Sequence, residues 1–403
     1  MRIALYTHPD FQGFVSQQRF ARQLAQGLRS RGIQVDVRQP QPWLRRWFKH
    51  AALARWAACV DQYLLFPLQQ WAVQRRDSAD TLHVFCDQAL GPWLPQVARR
   101  AHVVHCHDLL ALRAALGLAL PQRLTAPSRW LQRAIRQGFR QGRHFISVSQ
   151  ATRNDLHQLG GVQPALSAVV PNGVAAVFRR LDPATAQAHL ARTGLAWPAQ
   201  PPLLHVGSSA WYKNTVGVLH LYAAHVRAAV QAGRPPRALW LLCPPVTGAA
   251  AEALRAVPAQ GQVQHLHAVS DETLAALYSS AELLLFPSLH EGFGWPIAEA
   301  LACGCPVLTT DRAPMTEVGG PVAHYLPAMP TAPAMPNRPH TLNIHHSAAL
   351  QSWAAAGAKR IQALLQRSPA QRQADASAAM AWARRFDVDS VLDAYLAVYR
   401  QAL

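Results

Sequence analysis

Residues 282–311 read ELLLFPSLHEGFGWPIAEALACGCPVLTTD. Leu283-Leu284-Leu285-Phe286 is a short apolar run ended by Pro287, the pattern of a strand buried on both faces of a parallel sheet. Pro306-Val307-Leu308-Thr309 is a second such run. Residues 296–302 between them predict a helix. Pro296 suits a first helical turn, where a missing N–H is no loss, and Gly304 suits a left-handed stop. The order is strand, loop, helix, strand. In open α/β sheets, ligands bind at the loop that leaves the carboxyl end of such a strand.

That loop is His290-Glu291-Gly292-Phe293-Gly294-Trp295. Gly292 and Gly294 let backbone N–H groups approach a ligand closely, and the positive end of the helix favours an anion, typically phosphate. Glu291 precedes the helix and Glu299 lies about one turn in. Pointed at a phosphate they would repel it. Aimed to either side, each accepts hydrogen bonds from neighbouring hydroxyls. A ligand with a central diphosphate and a sugar at each end fits. One Glu alone would read as a loop charge or a solvated helix face; spacing, glycines and context together argue otherwise.

The run EGFGWPIAEALACGCPVLTT, followed by Glu317-Val318-Gly319-Gly320, resembles the E-x7-E region of the family-4 retaining glycosyltransferases. The resemblance implies an α/β chain of the GT-B fold: two Rossmann-like, doubly wound domains facing a cleft, with a C-terminal helix crossing back to the N-terminal domain. It implies that Glu291 contacts hydroxyls of the donor sugar and Glu299 the nucleotide ribose. The backbone at Phe293, Gly294 and Trp295 would line the sugar and phosphate site.

The chain has 403 residues, half of them hydrophobic, enough for two ordinary cores. No uncharged apolar stretch of membrane-spanning length appears, and MRIALYTHPD enters a strand-like run without a signal-peptide pattern. Six scattered cysteines lack zinc-like spacing, and Cys303 and Cys305 read as buried thiols. These features predict a cytoplasmic protein. The formal net charge is +18, which leaves nucleic acid, an anionic membrane face and an anionic substrate open as partners.

From the start, Arg2 to Tyr6 predicts a strand, residues 17–30 a helix and residues 33–37 a second strand. Relatives carry two adjacent glycines in the first loop, facing phosphate and acceptor; here Gly13 stands alone between Gln12 and Phe14. Residues 43–76 read WLRRWFKHAALARWAACVDQYLLFPLQQWAVQRR. Trp43, Trp47, Phe48, Trp56 and Trp71 are interleaved with Arg45, Arg46, Lys49, Arg55, Arg75 and Arg76. A basic amphipathic helix with tryptophans suits an anionic bilayer interface. The alternative is a helix with its aromatics in the N-terminal core and its arginines in water.

A strand over 101–106 ends in His105-Cys106-His107-Asp108. By itself such a pair reads as structural, and a metal would need a third ligand that nothing nearby supplies. It is similar to the family's HD, which implies that His107 approaches the donor sugar and that Asp108 stands beside it. Ser149 heads a helix like the family's S-x-x-[ST] start, and Ser149 alone suits an N-cap. Pro171-Asn172-Gly173-Val174 resembles the turn at which relatives leave the first domain. The domains expected are residues 1–170 with 385–403 for the acceptor, and 171–384 for the donor.

A strand over 202–206 leads into Gly207-Ser208-Ser209-Ala210-Trp211-Tyr212-Lys213-Asn214. Relatives place an arginine and a lysine of this loop on the diphosphate. Lys213 matches the lysine, and Ser208 and Tyr212 stand at the arginine's places. By the resemblance Ser208 and Asn214 also line the donor. Residues 329–346, rich in Pro and His, read as an irregular insertion. Residues 380–403 carry Trp382, Phe386, Leu392, Tyr395, Leu396 and Tyr399 at helical spacing.

The resemblance implies a hexosyltransferase that retains anomeric configuration. Its donor is a UDP- or GDP-linked nucleotide sugar and its acceptor a glycan or lipid-linked glycan. The resemblance implies no metal and no cofactor, and no nucleic acid is expected. Two readings compete: a basic membrane- or nucleic-acid-binding protein on the same scaffold with catalysis lost, and a sugar-nucleotide epimerase. The pair Glu291 and Glu299 argues against both.

Overall fold

A computed structural model describes residues 1–13, 15–118, 124–195, 197–267, 269–330 and 347–403. Residues 331–346, most of the expected insertion, lie outside the described residues. The chain divides into a first unit, Met1–Gly173 with Asp389–Leu403, and a second, Val174–Val388.

The first unit is built on six parallel strands: β1 (Arg2–Tyr6), β2 (Gln34–Arg38), β3 (Thr81–Phe85), β4 (His102–Cys106), β5 (His144–Ser147) and β6 (Leu166–Val169). Their order across the sheet is β2-β1-β3-β4-β5-β6. β3 and β4 are buried along their whole length, as strands covered by helices on both faces must be. The last helix, Val388–Ala402, belongs with this unit from Asp389 onward. Tyr399 Oη lies 2.7 Å from His105 Nε2, and Tyr395 Oη donates to the Pro171 carbonyl at 3.1 Å.

The second unit repeats the plan with β7 (Leu203–Val206), β8 (Leu239–Leu242), β9 (Val263–Leu266), β10 (Leu283–Phe286), β11 (Val307–Thr310) and β12 (His324–Leu326). The order is β12-β11-β10-β7-β8-β9, again parallel. Its ends are tied where Val174 N–H donates to the Phe386 carbonyl at 2.7 Å.

The C-terminal stretch differs from the sequence expectation. Instead of one helix over 380–403 there are two, Pro369–Ala383 and Val388–Ala402, parted by a 3-10 turn at Arg384–Phe386. Phe386 is buried with its ring edge-on to Phe293 at 5.5 Å, and Asp387 leaves the helical region with ψ 132°. Burying Phe386 breaks the helix although the apolar spacing runs through it.

Candidate functional site

In a doubly wound sheet the loops leaving two adjacent strands part to opposite faces where the strand order reverses, and ligands bind there. In the second unit the reversal lies between β7 and β10. The loops after these strands are residues 207–214 and 287–294. The Leu289 N–H donates to the Tyr212 carbonyl at 2.8 Å, so the two loops hold each other.

Each loop ends in a helix start built for it. Asn214 has a left-handed backbone, φ 56°. Its Oδ1 accepts from the Gly217 N–H at 3.0 Å and its Nδ2 donates to the Pro287 carbonyl at 2.8 Å. That side chain is spent on capping one helix and fixing the neighbouring strand end. In the structure it holds the loop that was expected to line the donor. Gly294 precedes the helix Trp295–Ala302 with φ 105°, a region that L side chains avoid. Phe293 turns its ring inward, leaving its backbone to the loop.

Lys213 and Glu291 are brought together. Lys213 Nζ donates to both carboxylate oxygens, at 2.8 and 3.0 Å, with side chains 19% and 8% exposed. The ammonium also stands 5.3 Å from the centroid of the Phe286 ring. A phosphate cation and a sugar carboxylate, expected from loops 78 residues apart, here neutralise each other. Ser208 is exposed at the loop's start, its Oγ accepting from the Ala210 N–H at 3.3 Å. Trp295 is half-buried.

Glu299 is buried, and Tyr278 Oη donates to its Oε2 at 3.3 Å. Burial holds the Tyr278 hydroxyl well above its ordinary range, so it stays protonated and can orient the carboxylate. The sequence did not single out Tyr278. Nor did it single out Arg312, two residues past β11, whose Nη1 donates to the Leu289 carbonyl at 3.3 Å. Arg312 brings a second cation to the loop that carries Glu291. Its signal was its place just past a strand's carboxyl end.

In the first unit the strand order reverses between β1 and β3. The residues just past those strands include His8 and Asp87, buried, with Nε2 and Oδ2 3.0 Å apart. Burial pushes the Asp87 carboxyl up, but the hydrogen bond and charge of His8, with His107 nearby, hold it below its ordinary value. Sequence reasoning passed over both; only the strand order shows that two loops 79 residues apart meet.

His107 follows β4. Its N–H donates to Gln88 Oε1 at 3.0 Å, its carbonyl accepts from Thr152 Oγ1 at 3.2 Å, and Phe20 packs edge-on at 4.5 Å. Burial holds the imidazole below its usual value, and therefore neutral at pH 7. Nε2 lies 2.9 Å from the Cys86 carbonyl, which only accepts, so Nε2 carries the hydrogen and Nδ1 is an acceptor. Asp108 Oδ1 accepts from the Leu110 N–H at 3.0 Å, bending the chain into the next helix. Gly13 is exposed at φ 70° with open space around it, and it caps the 3-10 turn Asp10–Gln12. Ser149 is an N-cap, its Oγ accepting from the Thr152 N–H at 3.0 Å.

Residues 43–76 depart from the alternative that placed their aromatics in the core. A helix runs from Ala51 to Gln74 through a π turn at Asp61–Leu65, but Trp43, Trp47, Trp56 and Trp71 are exposed and so not core. Among the described residues no His, Cys, Asp and Glu side chains form a metal-sized group, and no helix is long and apolar enough to cross a membrane.

Two doubly wound parallel sheets in one chain, with the last helix returned to the first, define the GT-B class. Residues 17–177 match the model described as Glycosyltransferase Family 4, and residues 250–321 that described as Glycosyl transferases group 1. O-antigen chain mannosyltransferase B of Escherichia coli is 25% identical over 201 residues, 48% of this chain and 49% of that protein. MMP alpha-(1->4)-mannosyltransferase of Mycolicibacterium hassiacum is 28% identical over 280 residues, 67% of this chain and 63% of that protein. The chain thus spans about half to just under two thirds of these relatives. Sucrose-phosphate synthase from Thermosynechococcus elongatus shares the fold, with a TM-score of 0.68 at 18% identity, covering 100% of this chain and 98% of that one. The chain belongs to glycosyltransferase family 4.

Proposed function

We propose that this protein is a retaining hexosyltransferase. It moves a sugar from a UDP- or GDP-linked donor to a glycan or lipid-linked glycan acceptor, without metal or cofactor. The observation that carries the reading is the Lys213–Glu291 pair, set at the strand-order reversal of the second unit beside a helix N-terminus. In the transfer the bond from the anomeric carbon to the diphosphate oxygen breaks and a bond to the acceptor oxygen forms on the same face. The acceptor's proton passes to the leaving phosphate. Lys213, freed from Glu291, meets the diphosphate with the N-terminus of Trp295–Ala302, and Arg312 adds the charge that Ser208 and Tyr212 cannot.

Glu291 then holds sugar hydroxyls, and Glu299, oriented by Tyr278, faces the ribose. His107 contributes a neutral acceptor nitrogen from the first unit. The two relatives above are named mannosyltransferases, which favours a hexose. A cytoplasmic place at an anionic membrane face, where a lipid-linked acceptor is presented, completes the reading, with no nucleic acid partner. The test is thermal melting with UDP, GDP and ADP, followed by transfer assays on Glu291→Gln in EDTA. One nucleotide should raise the melting temperature, and wild-type transfer should persist in EDTA. Glu291→Gln should fold and lose transfer at least a hundredfold, on the scale of one lost transition-state contact. Near-normal turnover by a folded Glu291→Gln would overturn the assignment.

A further inference from the structure

Within the first unit the helix 51–74 is turned inside out. Its inward face is mostly small or polar: Ala54, Ala57, Ala58, Asp61, Gln62, Gln70 and Gln74 are buried, and Phe66 is the one large apolar side chain buried with them, against Trp93. Its outward face carries Leu53, Trp56, Leu64, Leu68 and Trp71, each 51–61% exposed. The π turn absorbs one residue, so the eight-residue step from Trp56 to Leu64 acts as seven. The five apolar side chains then share a stripe about 100° wide along a rod of about 36 Å.

Hydrogen bonds fix that orientation. Asp61 accepts from the N–H groups of Leu44 and Arg45, both at 2.9 Å, which also holds the turn bearing Trp43 and Trp47. The Gln62 carbonyl accepts from Trp93 Nε1 at 3.0 Å, and Gln74 Nε2 donates to Tyr6 Oη at 3.0 Å. Between Trp43 and Arg76 the lone carboxylate is buried Asp61, while Arg46, Lys49, Arg55, Arg75 and Arg76 are exposed. Arg75 lies 3.6 Å from the Trp71 ring centroid, and Arg46 stands 5.3 Å from that of Trp47.

We propose that this outward face is a docking surface for an anionic lipid bilayer, with the helix lying flat in the headgroup layer. The inference rests on the membrane-facing place proposed above and names the surface that serves it. A bilayer offers what this face matches: anions at one depth for the cations, and an apolar layer just below for tryptophan and leucine. An acidic protein would meet the cations and leave the tryptophans in water. Each cation near the surface contributes about a fivefold gain in partition that salt removes; the apolar stripe adds a part that salt leaves.

The test is cosedimentation of the full chain with vesicles of equimolar phosphatidylglycerol and phosphatidylcholine, and of phosphatidylcholine alone. Wild type should sediment with the anionic vesicles at low salt, and at least tenfold less without phosphatidylglycerol or at high salt. The variant Trp56→Ser/Leu68→Ser/Trp71→Ser should lose at least tenfold, with unchanged circular dichroism and an unchanged melting shift by the donor nucleotide. Wild type left in the supernatant at low salt, or a variant that binds as well as wild type, overturns the proposal. So does a dimer that the variant converts to monomer without vesicle binding, which gives the face to a second copy. Vesicle binding without any nucleotide response would instead remove the transferase reading and leave this surface standing.

Discussion

Breaking the Lys213–Glu291 pair should cost the second unit stability in a manner that a double substitution reveals. A fully buried pair that loses one partner costs about 3–5 kcal/mol, and an exposed pair about 0–1. Here Glu291 is the more enclosed, at 8% against 19% for Lys213, with two bonds to the ammonium. Lys213→Met should therefore cost about 2 kcal/mol, since it strands the enclosed carboxylate. Glu291→Gln should cost about 1, since Lys213 keeps some water and the amide oxygen still accepts. The double variant should cost at least 1 kcal/mol less than the sum, because neither charge is then stranded. Hydrogen exchange in peptides covering 207–217 and 287–300 reads this unit alone, which a whole-chain melt does not. A double variant that equals the sum within about 0.5 kcal/mol would refute the coupling. Repeating the cycle with bound nucleotide adds a functional arm: if Lys213 turns to the diphosphate, the coupling should shrink.

Gly294→Ala places a side chain at φ 105°, with its Cβ 3.3 Å from Ile297 Cδ1. It should cost about 1–2 kcal/mol and weaken nucleotide binding at least tenfold, measured by melting and calorimetry; wild-type binding would remove the loop from the site. Acid should loosen both units: burial pulls His83 in the first, and His205 and His225 in the second, from 6.5 to about 4. The unfolded chain then binds more protons than the folded one between pH 6.5 and 4, so stability falls as pH drops through that window. Each histidine removes up to about 3 kcal/mol below pH 4. A melting temperature equal at pH 7.5 and 4.5 would contradict this.

The strand, loop and helix around Glu291 were legible in the sequence because each piece obeys a local rule. A strand buried on both faces is an unbroken apolar run, as at Leu283–Phe286, and a left-handed position calls for glycine, as at Gly294. What the sequence hid is what depends on strand order. His8 meets Asp87, and Lys213 meets Glu291, because the strands before them stand side by side in the sheets. No spacing along the chain encodes that neighbour relation. The bend at Arg384–Phe386 was hidden too, since one ring, Phe386, sets it by packing on another distant in sequence.

The helix 51–74 shows a different limit. Periodicity reports that a helix has two unlike faces and says nothing about which one turns inward. The usual rule, apolar inside, would bury Trp56, Leu68 and Trp71 and leave Asp61, Gln62 and Gln74 in water. The fold turns two of those side chains to partners inside: Asp61 accepts from the N–H groups of Leu44 and Arg45, and Gln74 donates to the phenol of Tyr6. Satisfying them offsets the apolar area left outside, about 1 kcal/mol per bond in stability and more for each group kept from burial without a partner. A chain that keeps such an arrangement exposes tryptophans for which the folded monomer has no use. An apolar stripe held outward by specific polar contacts, with every exposed charge between Trp43 and Arg76 of one sign, is the arrangement that the proposed docking on an anionic bilayer calls for.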